Sequence, residues 1–479
     1  MNNRFKAFQV AWFLAASIWP GAQAMAFDSG SSGTDGALNP LVDTVLQLPA
    51  DGIFNFTSVN IPSGVTVRFQ KNTANTPVTL LVGGDVNIAG SIVLNGGSST
   101  HGGAAGNGNL GDDGIPGLGA PGGFDGGRGG DVDSRGGNGL GPGAGVSGPG
   151  RCGSSGYGGS GAGYATNGAN TINSSCSIIA GGPAYGSPTL LPLIGGSGGG
   201  GGHGGGSFAG TGGGGGAGAI LIAASGTVRV NGSITANGGS SGASDGVNCG
   251  GTGGGGSGGA IRIVATTLTG NATIAATGGA GTFNSCALAA SGGNGSSGRI
   301  RLEAEVFQRT AATSPGYSFA QPQEIFVAGL PSLRIASVAG MPAPAQPTGS
   351  ADILLPAGTP NPVAVLFETT NVPLGNTVQL TVTPATGPAV SVISNAISGT
   401  EASGSASADV NIPTGPSILA ATVSFTVLAS TGQDLSRYAQ GEPVERVRLS
   451  TNPATGSTTT LITGSGREFS VPSNLVAGF

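Results

Sequence analysis

The chain has 479 residues, enough for two or three domains, and 98 of them are glycine, against roughly 7% in average usage. Charged residues make up 8%, the formal net charge is -5, and Lys6 and Lys71 are the only lysines. A basic surface able to neutralise several phosphates is therefore excluded, and nucleic-acid binding with it.

The N-terminus reads as an export signal. Arg4 and Lys6 precede the apolar run "AFQVAWFLAASIW" (Ala7 to Trp19), which is followed by Pro20-Gly21 and two small-x-small sites, Ala22-Gln23-Ala24 and Ala24-Met25-Ala26. Residues 1–26 are thus expected to be a leader, and cleavage would leave Met25 or Phe27 first. A membrane anchor is the rival, but the run falls short of about 20 residues and contains Gln9. No later segment is long and apolar enough for a spanning helix, so the mature chain is expected to be secreted or held at the outer cell surface.

Next come short alternating strands: "GIFNFTSVNIPSGVTVRFQ" (Gly52 to Gln70), then the first of three related repeats, "VTLLVGGDVNIAGSIVLNGG" (Val78 to Gly97). A glycine-dominated interruption, residues 98–211, separates it from the second. With so few apolar residues this insertion cannot build a core of its own. Either it is a flexible loop, or its strands pack side by side as polyproline-II-like chains bonded through backbone groups; the second reading is preferred.

The insertion carries the acidic residues Asp112, Asp113, Asp125, Asp131 and Asp133. "GGRGGD" (Gly126 to Asp131) matches one element of calcium-binding β-rolls, which makes Asp112, Asp113, Asp131 and Asp133 the calcium candidates. Asp133 stands where an aliphatic residue belongs and the element is not repeated, so the expectation is no cofactor. "GIPGLG" is too short for a collagen triple helix. Gly195 to Gly199 satisfies GxSxG around Ser197, but no strand-to-helix elbow surrounds it, and His203 sits among glycines as His101 does.

The second and third repeats are "AILIAASGTVRVNGSITANGG" (Ala219 to Gly239) and "AIRIVATTLTGNATIAATGG" (Ala260 to Gly279), with a shortened echo "RIRLEAEVF" (Arg299 to Phe307). Within them Ile220, Ile222, Ile261, Ile263, Ile300 and Leu302 should point one way, and Leu221, Arg262 and Arg301 the other. Strands this short, repeated without helix patterns, bury their isoleucine columns by stacking. The expected fold is a right-handed parallel β-helix or close solenoid relative over 27–309, with glycines where corners are sharp or backbones approach closely.

Two features ride on that register. Arg262, Arg301 and Glu303 form an outward column, read either as a solubilising face or as a strip that binds an anionic glycan or a protein partner. Cys152, Cys176, Cys249 and Cys286 suit two disulfides in an exported protein. Three pairings exist; Cys249 and Cys286 fall in equivalent loops of neighbouring repeats, which favours 249 with 286 and 152 with 176.

After Phe307 glycine becomes sparse. Segment 310–328 reads as a linker. Over 329–479, "NTVQLTVTP" (Asn376 to Pro384), "ASADVNIP" (Ala406 to Pro413), "ATVSFTVLA" (Ala421 to Ala429) and "ERVRLST" (Glu445 to Thr451) alternate between marked turns, as in an immunoglobulin-like β-sandwich. The whole is expected to be all-β.

The combination "FDSGSSGTDGALNP", "FNFTSVNIPSGVTVRF", "VTLLVGGDVNIAGSI" and the doubled "GGGGxGGAI" resembles a group of glycine-rich exported proteins of Gram-negative bacteria, from about Phe27 to Phe307. The resemblance implies a surface or extracellular protein and brings no catalytic residues. The functional expectation is a secreted or cell-surface adhesin or extracellular-matrix scaffold without catalysis, whose partners are a surface glycan, another surface protein or a second copy of itself. The alternative is a β-helix that binds or degrades polysaccharide, and the acidic cluster of the insertion lies off the strand columns that such catalysis would need. An ice-binding face is disfavoured because "ATTLTG" (Ala265 to Gly270) has no echo in the other repeats.

Overall fold

The computed structural model describes residues 27–49, 51–73, 75–100, 114–171, 177–206, 208–243, 249–284, 291–323, 325, 331–343, 352–426, 435, 439, 442–452 and 456–472. The expected leader over 1–26, His101, Asp112, Asp113, Cys176 and Cys286 lie outside them. All secondary structure among the described residues is β.

The first strands are β1 (Ala37–Leu38), β2 (Thr44–Gln47), β3 (Ile53–Phe56), β4 (Ser58–Ile61), β5 (Thr66–Gln70), β6 (Val78–Val82), β7 (Val86–Ile88) and β8 (Ser91–Val93). β9 (Arg151–Cys152) and β10 (Ser155–Gly156) make a small antiparallel pair in the glycine-rich segment. The repeats resume with β11 (Ala219–Val230), β12 (Ser233–Thr235), β13 (Ala260–Thr269), β14 (Thr273–Ala275), β15 (Arg299–Phe307) and β16 (Tyr317–Ala320).

These strands build two parallel sheets. The larger runs β1-β4-β7-β11-β13-β15-β16, with β3 and β6 joining it on β11, and the smaller runs β2-β5-β8-β12-β14. The insertion does not disturb the stack: 142 residues separate Ser91 from Ser233, yet they are direct partners in register. The stack begins within the expected 27–309, ahead of the first quoted pattern, and ends later than 309. β1 and β2 precede Gly52, and β16, inside the expected linker, pairs with β15 as Ile300 opposite Tyr317 and Leu302 opposite Phe319. The segment 310–328 is therefore in part the last strand of the sheet.

Alternation sets the core. Ile220, Ile261 and Ile300 stand side by side in register, as do Ile222, Ile263 and Leu302, and all are buried between the two sheets with Ile92 and Ile234 from the smaller one. At about 25 cal/mol per Å² of apolar surface, each such side chain contributes roughly 1.5–3 kcal/mol. Because the neighbour in each column belongs to another repeat, no repeat buries its face alone.

The glycine-rich segment is ordered through its backbone. From Gly213 to Gly218, successive N–H groups turn to different neighbours: Gly213 and Gly216 donate to Gly127 and Phe124, Gly214 and Ala217 to Gly254 and Ser257, Gly215 and Gly218 to Gly97 and Leu94. That period of three is the polyproline-II period, in which backbone groups point outward all round. The carbonyls of the same stretch accept from Gly117, Gly199, Gly239, Ala120 and Gly196, so it is ringed by hydrogen-bonded chains. Stretches 196–203 and 251–259 are surrounded in the same manner. A Cβ at Gly199 would collide with the Gly254 carbonyl oxygen, and one at Gly254 with that of Ser160. Glycine is required here for close approach, since these residues have ordinary φ. Among the described residues of the insertion, lateral packing, the preferred of the two readings, is therefore what the backbone bonds show.

Cys152 and Cys249 are disulfide-bonded, and the described residues include no free cysteine. The expected partners Cys176 and Cys286, and with them the pairing, lie outside the described residues.

The C-terminal part is antiparallel. β17 (Ser332–Val338), β18 (Met341–Pro342), β19 (Val363–Thr370), β20 (Thr377–Pro384), β21 (Val390–Ala396), β22 (Ser398–Thr400), β23 (Ser403–Val410), β24 (Ser417–Thr426), β25 (Val444–Asn452), β26 (Gly456–Thr463) and β27 (Glu468–Pro472) form two sheets, β18-β17-β19-β23-β22 and β21-β20-β24-β25-β26-β27. Both contribute to one apolar core that includes Val365, Phe367, Leu380, Val382, Val423 and Leu449.

Candidate binding surface

In the larger sheet Leu221, Arg262, Arg301 and Ser318 are consecutive partners in register, on the face turned away from the isoleucine columns. That face is not solvent. The side chains of Arg262 and Glu303 are 1% and 0% exposed and that of Arg301 12%, so the expected surface strip of Arg262, Arg301 and Glu303 is corrected to a buried ion cluster. The cause is a cover contributed by the insertion: Tyr164, Tyr185, Leu190 and Leu193 pack on Leu81, Leu221, Ala223 and Val264. The larger sheet is consequently packed on both faces where the cover lies, with the ion cluster enclosed among apolar side chains.

Under that cover the carboxylate of Glu303 is fully engaged. Arg262 donates from Nε to Oε1 at 3.0 Å and from Nη2 to Oε2 at 3.1 Å, Arg301 from Nε to Oε1 at 2.9 Å, and the Gln323 backbone N–H to Oε2 at 2.8 Å. Such bidentate, charge-assisted bonding is what allows a charge to be buried. The arrangement fixes the stack and offers no ligand-facing atom of Glu303.

The cover is itself anchored by phenols. Tyr164 and Tyr185 meet edge to face at 4.7 Å, their hydroxyls donate to the carbonyls of Ile194 and Gly195 at 2.8 and 2.5 Å, and Ser197 Oγ donates to the Tyr185 hydroxyl at 3.0 Å. Burial pushes the Tyr164 phenol well above its usual range, partly opposed by Arg299, whose guanidinium lies 5.9 Å from its ring centroid. Burial, then the neighbouring Tyr164, raises Tyr185 as well.

The calcium candidates do not converge among the described residues. Asp131 accepts from the Val132 backbone N–H at 2.7 Å, and Asp133 pairs with Arg151 at 2.9 Å. Asp125 accepts from Gly119 N–H at 2.7 Å and from Lys71 at 3.4 Å. No group of three or more metal-ligating side chains occurs among the described residues, while Asp112 and Asp113 lie outside them. Ser197 of the GxSxG string is buried in the glycine packing, its Oγ accepting from Gly143 N–H at 2.9 Å; His203 is also buried, its Nδ1 at 2.6 Å from the Gly204 carbonyl.

Two stretches of strand face remain open: the β1-β4-β7 end of the larger sheet, where Asn39, Asn60 and Asn87 bond in an exposed to half-buried row, and the outer face of the smaller sheet with its continuation. Beyond β8, β12 and β14 the three chains leave strand geometry but stay paired: Gly96 N–H donates to Asn237 O and Gly238 N–H to Thr277 O. Asn237 N–H donates to Asn95 Oδ1 at 2.9 Å and Thr277 N–H to Asn237 Oδ1 at 2.8 Å, which aligns Asn95, Asn237 and Thr277 in one row. A second row follows, with Ser240 N–H donating to Ser98 Oγ at 3.2 Å and Ala280 N–H to Ser240 Oγ at 3.3 Å. Upstream, Ser91, Ser233 and Thr273 form a third in strand register. All of these side chains are exposed or half-buried. Short polar groups thus recur along this face at the strand spacing of about 4.8 Å, on either side of a row formed by Val93, Thr235 and Ala275.

The repeat ends "LNGG", "ANGG" and "ATGG" carried this signal, since Asn95, Asn237 and Thr277 occupy the same place in each. The covering segment around Tyr164 to Ile194 had no such signal. In comparisons with known protein families, curated proteins and solved structures, the chain matches none. No helix among the described residues is long and apolar enough to cross a membrane.

Proposed function

We propose that the protein is an exported, non-catalytic adhesive or extracellular-matrix component that holds a repetitive surface glycan on the polar lattice of Asn95, Asn237, Thr277, Ser98 and Ser240. The observation that carries this reading is the repetition itself: equivalent donors and acceptors recur along the stack at one spacing, and weak contacts to a periodic chain add through effective concentration. On this reading the parallel stack is a right-handed β-helix, the C-terminal part is an immunoglobulin-like sandwich that spaces it from its anchorage, and Cys152 pairs with Cys176 and Cys249 with Cys286. The backbone-bonded glycine packing would supply stiffness at low charge, as a scaffold requires. A functional step taken from fold alone is analogy, so the weight rests on the lattice.

The test is a glycan-array screen of the processed protein, with reducing-end release measured on every glycan retained. Retention without release, abolished by Ser98→Arg or Ala280→Arg at exposed positions of the second row, is the expected result. Release of product would replace adhesion by polysaccharide cleavage, and silence on every glycan would remove the glycan partner.

A further inference from the structure

The first described residues run lengthwise along the parallel stack and touch one repeat after another. Phe27 N–H donates to Glu305 Oε1 on β15 at 2.6 Å, Ser29 N–H to Ser225 Oγ on β11 at 3.0 Å, and Ser29 Oγ to the Val82 carbonyl of β6 at 2.8 Å. Ser31 Oγ then donates to the Phe56 carbonyl of β3 at 2.8 Å, and Asp35 N–H to the Asn55 carbonyl at 2.9 Å. Within fewer than ten residues the chain thus passes from a late strand back to an early one. The segment is a strap that crosses the direction in which the repeats would separate, and its outer end is the bond between Phe27 and Glu305.

Glu305 is separated from Phe27 by 278 residues, so a carboxylate from near the end of the stack has been brought to one backbone nitrogen. Phe27 also packs against the apolar cluster under the insertion's cover. Immediately upstream the sequence is Ala24-Met25-Ala26, the small-x-small pattern that precedes a leader cleavage site. The competing site after Ala24 would leave Phe27 N–H an ordinary amide two residues inside the chain. A carboxylate is matched better by a cation than by an amide, because charge on both partners makes the shorter and stronger bond.

We infer that the Ala26–Phe27 bond is the processing site, and that the α-ammonium it releases is the intended partner of Glu305. A leader-removing protease adds water across the bond: the C–N bond breaks, Ala26 keeps the new carboxylate, and the Phe27 nitrogen takes up protons to become the ammonium. Before cleavage the strap ends in a neutral amide; after it, in an ion pair with Glu305. Removal of the leader therefore tightens the whole stack at its N-terminal strap. The inference rests on export and not on glycan binding, so a silent glycan array leaves it standing.

Two measurements decide it. The full chain, produced in a Gram-negative host that exports it, is expected to show an intact mass beginning at Phe27; a start at Met25, at any other residue, or an uncut chain overturns the assignment. Two forms are then released from an upstream fusion, one beginning at Phe27 and one retaining Ala24 to Ala26, each with and without Glu305→Gln. Glu305→Gln is expected to lower the melting midpoint of the Phe27 form by about 2 °C more than that of the extended form. Equal losses in the two forms would show that Glu305 serves the amide as well as the ammonium, and would overturn the ion pair.

Discussion

The guanidinium of Arg262 grips the carboxylate of Glu303 in two parallel hydrogen bonds of 3.0 and 3.1 Å, with both side chains buried between the larger sheet and the segment that covers it. They belong to adjacent strands: Glu303 stands opposite Val264, two residues beyond Arg262 on the same face. The bond therefore ties one repeat to the next from outside the isoleucine core.

Breaking that pair from one side removes most of a buried charge's compensation: without Arg262, Glu303 keeps only Arg301 and the Gln323 N–H, and without Glu303, Arg262 loses both bonds to its carboxylate. Arg262→Ala or Glu303→Ala is expected to cost about 3–5 kcal/mol. Arg301, whose side chain is 12% exposed, should cost less when replaced by alanine. Denaturant unfolding of the three variants checks the order, and an Arg301 variant as damaged as the other two would contradict it.

The glycine packing predicts a sharp positional contrast. Gly254→Ala drives a methyl into the Ser160 carbonyl, whereas Gly150→Ala meets nothing within 4 Å. The first is expected to destabilise by ~3 kcal/mol, the upper part of the range for overpacking, and the second to be nearly neutral. Melting curves together with amide-exchange protection of residues 196–203 and 211–219 measure the difference.

Alkaline pH should loosen the cover. Tyr164 and Tyr185 have phenol pKa values raised above the ordinary 10.0 by burial. Below that value the folded and unfolded states are both protonated and stability is complete; above it the unfolded chain releases protons that the folded chain retains. Stability therefore falls as pH rises, by up to about 1.4 kcal/mol per unit for each phenol. Tyr164→Phe should flatten this decline, as read by melting midpoints between pH 9 and about 11, the window set by the ordinary phenol pKa.

Arg309 closes the corner after β13. Its Nη1 donates to the Gly270 carbonyl at 2.8 Å, and its Nη2 to those of Ala272 and Ala312 at 2.8 and 3.2 Å. Arg309→Met keeps the apolar stem and strands those carbonyls, at an expected cost of about 1–3 kcal/mol. Faster amide exchange in β14 with an unchanged glycine packing would be its signature.

Much of the parallel stack was legible because stacking repeats the same inward requirement. Ile220, Ile261 and Ile300 share a place in the pattern and stand beside one another in the fold. The glycines were legible as close backbone approach, whereas composition left lateral packing as the preferred of two readings, and the backbone hydrogen bonds decided for it. Of the candidate surface, the row Asn95, Asn237 and Thr277 was written in the repeat ends and needed only the alignment to be read as a column.

The outward column could not be read correctly in the same way. Alternation tells which residues leave the inner core, and it placed Arg262, Arg301 and Glu303 together; it says nothing of what lies on the other side of the sheet. That was decided by Tyr164, Tyr185, Leu190 and Leu193, which come from an insertion without periodicity and reach the sheet only through contacts distant in sequence. The sequence by itself determined the strand class, the inward columns and the places where only glycine fits, since these follow from local geometry repeated along the chain. The tertiary structure alone decided which face meets water, because burial is a property of two surfaces and a sequence pattern describes one of them.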